Sequence, residues 1–188
     1  MQIPLDLPVV GFEGSRRIGQ GPLRDVIQTA VRAVSRGSRG DVVLFNAETS
    51  ERIEVDLRGS AEDVVARLEG VPPAPRTAGR PKLGVVAREV TLLPRHWDWL
   101  SDQPGGASVT LRKLVDQARQ SNVESDRVRK ARDATYRFIL DMGGDRPGFE
   151  EASRALFAGN RTAFLRHIER WPADIKAHAK TLIQKVTE

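Results

Sequence analysis

Residues 88–119 read REVTLLPRHWDWLSDQPGGASVTLRKLVDQAR. The first six, Arg88 to Leu93, end the most β-like run of the chain, Leu83 to Leu93, and Pro94 then sits where a helix tolerates proline, at its first position. Trp97 and Leu100 share one face of the helical pattern that follows. Gln103-Pro104-Gly105-Gly106 breaks that pattern, and a second helix capped by Ser108 carries Leu111, Leu114 and Val115 as its inward set. The order is therefore strand, helix, glycine turn, helix. A lone strand of this kind leaves its amides and carbonyls unpaired, so it needs another strand to complete it.

The segment resembles the ribbon-helix-helix fold of the Arc and MetJ type of bacterial repressor. That resemblance implies a dimer in which two copies of the strand pair into an antiparallel ribbon, with Val90, Leu92, Leu93 and Trp97 at the dimer contact. It also implies DNA as a partner. The ribbon enters the major groove and the amide end of the second helix holds a phosphate, which assigns DNA contacts to Arg88, Thr91, Arg95, Ser108, Arg112 and Lys113. The strand departs from the family in one respect. In one phase its outward set is Arg88, Val90 and Leu92, and in the other it is Ala87, Glu89, Thr91 and Leu93. Neither set can make several bidentate bonds to base edges. Two readings stay open: a contact dominated by phosphates, or a ribbon that serves only to dimerise.

Upstream, residues 71–81 hold several prolines and no apolar periodicity, the composition of a linker or basic arm. Within and beside it, Ala78-Gly79-Arg80-Pro81-Lys82 resembles the Gly-Arg-Pro core of the AT-hook, with alanine where a flanking arginine is usual. An ordinary linker is the plainer reading of three matching residues. As an arm, Arg80 and Lys82 would add phosphate contacts and steepen the salt dependence of DNA binding.

Residues 1–70 read as a small α+β unit. Val9 to Glu13 is a short strand that Ile18, between glycines, returns as a hairpin. Leu23, Val26, Ile27, Ala30, Val31 and Val34 recur at spacings of three and four, the stripe of an amphipathic helix behind Pro22. Asp41 to Phe45 and Arg52 to Leu57 are expected strands, the second by its clean alternation. Ser60-Ala61-Glu62-Asp63 is a capping-box start for a short helix through Val64, Val65 and Leu68. Beyond residue 122 the pattern is purely helical, over Asp126–Met142, Phe149–Ala158, Arg161–Glu169 and Ala173–Val186. Trp171, just before Pro172, is expected to staple the last two helices. The fold class expected is α+β: a small N-terminal antiparallel sheet with helices (1–70), the arm (71–81), the ribbon-helix-helix-like segment (82–121) and a C-terminal helical bundle (122–188).

Composition narrows the chemistry. The 188 residues hold 30 Lys plus Arg against 25 Asp plus Glu, and no cysteine. Disulfides, zinc-thiolate sites, iron-sulfur ligation and a thiol nucleophile are thereby excluded. No apolar run reaches the length that spans a bilayer, and the first residues lack a signal-peptide pattern, so no membrane partner and a cytoplasmic location are expected. The charge is uneven: residues 1–75 net −2, residues 76–137 net +6 and residues 138–188 net +1. A polyanion-binding segment would produce that asymmetry, and so would a solvated Arg-rich helix such as Asp126 to Tyr136.

No enzymatic motif stands out. Gly14 to Gly21 lacks the Gly-Lys-Ser/Thr of a phosphate-binding loop, and Pro22 removes an amide where one is needed, so a hairpin turn explains it. His96, His167 and His178 share no metal-ligand spacing. Glu62-Asp63 and Glu150-Glu151 lie in first turns of helices, where capping and the helix dipole account for them. Neither catalytic, cofactor nor metal-binding residues are assigned, and a non-enzymatic protein is expected.

End to end, the chain resembles domain-of-unknown-function family 2239, a bacterial family of uncharacterised proteins. The matching segments are Phe12 to Ile18, Asp56 to Ser60, Gly79 to Leu100 almost without interruption, and Pro147 to Ala152 through Trp171 to Asp174. The resemblance implies a bacterial origin and carries no activity with it. Two functions stand open: a dimeric DNA-binding protein, weakly specific and regulatory, or an interaction or scaffold protein in which the strand only dimerises and a further protein is the partner.

Overall fold

The computed structural model describes residues 3–37, 40–70, 86 and 88–187. In chain order it contains β1 (Pro8–Glu13), β2 (Arg16–Pro22), α1 (Leu23–Ser35), β3 (Val42–Asn46), α2 (Ala61–Glu69), α3 (Pro94–Ser101), α4 (Gly106–Ser121), α5 (Val123–Gly143), α6 (Phe149–Phe157), α7 (Arg161–His167) and α8 (Ala173–Thr187). The class is α+β, with a small N-terminal sheet and a helical C-terminal region. Residues 1–72 and 127–188 form one compact unit, and residues 73–126 form another.

The sheet of the first unit has the order β2-β1-β3, all antiparallel. Because strand side chains alternate between faces, central β1 feeds two cores at once. Val9 joins Leu44, Leu23, Val26, Ile27, Ala30 and Val64 on the face covered by α1 and α2. Val10 and Phe12 join Phe45 and the apolar faces of α5 to α8 on the other. The N-terminal strands and C-terminal helices thus share a core, although Phe12 and Phe138 within it stand 126 positions apart in sequence. Cross-strand neighbours Gly11 and Gly19 leave the room that Val26 of α1 occupies, since a β-carbon on either would lie 3.1 to 3.3 Å from its Cγ1. A bulge between Gly11 and Phe12 leaves Ile18 unopposed.

The capping box forms as expected. Ser60 Oγ accepts from the Asp63 amide at 3.1 Å, and Asp63 Oδ2 accepts from the Ser60 amide at 2.9 Å. These bonds also hold the Asp63 carboxyl below its usual pKa. Four local readings need correction. Val34 is exposed, so the buried stripe of α1 runs from Leu23 to Ala33. Pro22 ends β2 and stands at the N-cap of α1, one place before its first turn. Arg52 to Leu57 forms only a single bridge, Phe45 to Arg52, followed by a bond from the Ile53 amide to the Leu44 carbonyl. Its alternation is nevertheless real, because Ile53, Val55 and Leu57 pack inward against the α1 core. Beyond Ile53 the segment leaves β3, and the carbonyls of Asp56 and Arg58 accept from Arg67 of α2 before Gly59 turns the chain at φ +91°. Trp171, finally, ties the start of α8 to the α5–α6 connection: its indole N–H donates to the Pro147 carbonyl at 3.0 Å.

In the second unit, Leu93 is the N-cap of α3 with Pro94 in its first turn, and α3 and α4 are joined through Gln103 to Gly106. Gly105, left-handed at φ +89°, caps α4, so the helix begins before Ser108, which lies within its first turn and caps nothing.

Candidate nucleic-acid and association interface

Residues 88–93 run extended into α3 without joining a sheet. Arg88 to Leu92 make no backbone hydrogen bond among the described residues, and Leu93 contributes only its carbonyl, to the amides of His96 and Trp97. Arg88, Val90, Thr91 and Leu93 are exposed and Leu92 is half-buried. Arg95 and Trp97 are exposed on α3, and Ser108, Arg112 and Lys113 on α4. Arg80 and Lys82 lie outside the described residues.

The second unit has almost no interior of its own. Among its described residues only Leu100 and Thr110 are buried. The face expected to point inward does not: Leu111 is half-buried, and Leu114 and Val115 are 43% and 54% exposed. Val90, Leu93, Trp97 and Trp99 are likewise open to solvent. Periodicity had found the apolar face, but which surface covers it is a tertiary question that spacing does not answer.

The described part of the second unit carries no basic excess. Residues 88–126 carry Arg88, Arg95, Arg112, Lys113 and Arg119 against Glu89, Asp98, Asp102, Asp116, Glu124 and Asp126. The excess of the central third therefore comes from the arm around Arg76, Arg80 and Lys82 and from α5. On α5, Arg127 donates to the Lys185 carbonyl at 2.9 Å and Arg137 to the Thr49 carbonyl at 3.0 Å, so these cations are partly spent on the first unit. Arg88, Arg95, Arg112 and Lys113 make no ion pair among the described residues, and their cationic ends remain available.

The first unit contains a cleft that local spacing gave no reason to expect. It measures about 710 Å³ and is walled by the β1–β2 turn at Gly14 and Ser15, by Asp41, Val43 and Arg52, and by the end of α5 with the loop to Phe149. Its two arginines are already held. Arg52 grips Asp141 through two bonds of 2.8 Å, and Arg146 donates to Ser15 Oγ at 2.9 Å and to the Met142 carbonyl at 3.0 Å. The partners stand 89 and 131 residues apart in sequence, beyond the reach of any motif. Among the described residues no group of three or more His, Asp or Glu could hold a metal ion, and no helix is long and apolar enough to cross a membrane.

Residues 8–183 match the model of the family described as uncharacterised proteins conserved in bacteria, DUF2239. The chain belongs to this family. No curated protein and no solved structure matches it. DUF2239 membership covers both compact units.

Proposed function

We propose that this DUF2239 protein is a non-enzymatic binding protein whose central unit is completed by a second copy of the chain. The observation that carries the reading is the near-absence of buried side chains in residues 88–126 beside an unpaired extended segment. A two-helix unit of this size cannot repay its conformational entropy without a core. Antiparallel pairing of two identical segments about a two-fold axis satisfies both backbones in one step. It also brings Val90, Leu93, Trp97, Leu114 and Val115 of each copy within reach of apolar cover.

Light scattering on the full chain tests this directly. A dimer that Val90→Lys together with Leu93→Lys converts to a monomer whose first unit stays folded supports the reading. A wild-type monomer at tens of micromolar sinks it.

The unpaired state of Arg88, Arg95, Arg112 and Lys113 favours a second reading, in which the same dimer binds DNA through phosphates. Fluorescence anisotropy on duplex DNA at two salt concentrations tests it. Binding at low salt that Arg112→Ala with Lys113→Ala weakens across unrelated sequences supports a phosphate-dominated contact. Binding that is absent at low salt, or indifferent to those changes, leaves the protein as a scaffold for itself or for another protein.

A further inference from the structure

Where the sheet of the first unit meets the C-terminal helices, a histidine stands among aromatic rings. His178 of α8 is 3% exposed, and its ring centroid lies 4.6 Å from that of Phe138 on α5 and 5.9 Å from that of Phe12 on β1, both edge-on. Phe12 and Phe138 in turn lie 5.5 Å apart, and Phe45 of β3 stands against both. The imidazole Nε2 is buried with no hydrogen-bond partner.

Nothing in this pocket welcomes a proton. Phe12 and Phe138, which meet the ring from β1 and α5, are uncharged. The charged groups bearing on it are both cations, Arg17 from β2 and Lys185 from α8 itself. The carboxylate of Asp174, one helical turn before His178, is engaged elsewhere, accepting the backbone amide of Arg17 at 2.8 Å. Burial first, then the charges of Arg17 and Lys185, push the His178 pKa from 6.5 down to about 4. The folded state therefore needs the neutral ring.

We propose that His178 is an acid-sensitive latch: protonation of its buried imidazole undocks α8 from the β1–β2 hairpin, and the first unit opens at this junction. Two features place the opening there. The Arg17–Asp174 bond joins hairpin to helix at the same seam, and the protonated ring would face Arg17, whose backbone makes that bond. The latch is closed above the ordinary histidine pKa and loosens as pH falls from 6.5 toward 4, the open population rising about tenfold per pH unit over that span.

Amide hydrogen exchange on the full chain, corrected for the intrinsic pH dependence of exchange, reads the latch at the Arg17 amide and along α8. Wild type is expected to show a protection factor falling about tenfold per pH unit below pH 6.5, with His178→Phe flat over the same range. Amides of α1 and α2 should change less than those of α8. Equal slopes in wild type and His178→Phe would overturn the proposal by assigning the effect to carboxylates such as Asp174. A slope identical across α1, α2 and α8 would overturn it in favour of global unfolding. Should His178→Phe fail to fold, the wild-type imidazole signal decides by NMR. A ring that charges only as Arg17 exchange rises supports the latch, and a ring that charges with that amide still protected refutes it.

Discussion

The indole of Trp171 occupies the space a side chain on Gly143 would fill. A β-carbon there would sit 2.5 Å from Cζ3 and 3.1 Å from Cζ2 of the ring. Gly143 is the last residue of α5, and Trp171 precedes α8 by two residues. With the indole N–H bonded to the Pro147 carbonyl, this one side chain fixes the end of one helix, the loop after it and the start of another. The aromatic seam at Phe12, Phe138 and His178 belongs to the same core.

Gly143→Ala should therefore destabilise the protein by about 1–3 kcal/mol, the usual cost of overpacking. On helix propensity alone the change would gain about 1 kcal/mol, so the two expectations differ in sign. Urea denaturation followed by circular dichroism distinguishes them. Adding Trp171→Leu should recover part of the loss in a double-mutant cycle, and a midpoint for Gly143→Ala at or above wild type would mean that the ring has room to shift.

What could be read from the sequence was what local chemistry controls. Short apolar, β-prone runs in Val9 to Phe12 and in Val42 to Phe45, spacing in Leu23 to Val31, the Ser60–Asp63 box and the breaks at Gly143–Pro147 and Gly159–Asn160 each act within a few residues, and each element appears where its pattern lies. Contacts made across the chain escaped. The Asp56 and Arg58 carbonyls of a well-alternating segment find their donor in Arg67 of α2 and not in a neighbouring strand. Phe12 with Phe138, and Ser15 with Arg146, unite segments that carry no common signal. In the candidate interface the apolar and basic positions were legible residue by residue. Their exposure was not, because Leu114 and Val115 have the same spacing whether covered or bare.

Gly148 and Gly159 are both left-handed, at φ +84° and +69°, but their surroundings differ. A β-carbon on Gly148 would lie 2.7 Å from the His167 carbonyl oxygen, whereas on Gly159 it would meet nothing within 4 Å. Gly159→Ala should then cost only the backbone term, about 1 kcal/mol. Gly148→Ala adds a collision with main chain and should cost at least twice as much. Thermal melts of the two variants side by side check this, and equal shifts in Tm would show that the His167 carbonyl yields.

Ser50 is the converse case. It is a non-glycine residue at φ +54°, it is buried, and its hydroxyl has no hydrogen-bond partner. The loop holds it there through the Asn46 carbonyl, which accepts from its amide at 2.9 Å, while Asn46 Oδ1 accepts from Glu48 and Thr49. Ser50→Gly removes both the left-handed penalty and the stranded hydroxyl, against a loss of about 0.4–1 kcal/mol through the unfolded chain. A net gain of about 1 kcal/mol is expected in denaturant titration. A destabilised variant would show that the hydroxyl makes an interaction worth more than the strain.

The three tryptophans offer a reading of the central unit. Trp171 is 4% exposed, while Trp97 and Trp99 are 40% and 51% exposed on α3. If a second copy covers α3, their indoles enter an apolar environment only in the dimer, and emission should shift to the blue as concentration rises through the dissociation constant. The Trp97→Phe, Trp99→Phe variant, which keeps Trp171 alone, should show no such dependence. Val90→Lys with Leu93→Lys, which places charge on the unpaired segment, should hold the emission of Trp97 and Trp99 at its dilute value at every concentration. Spectra that superimpose across a concentration range over which light scattering reports the dimer dissociating to monomer would move the dimer contact away from α3 and leave those two rings for a different partner.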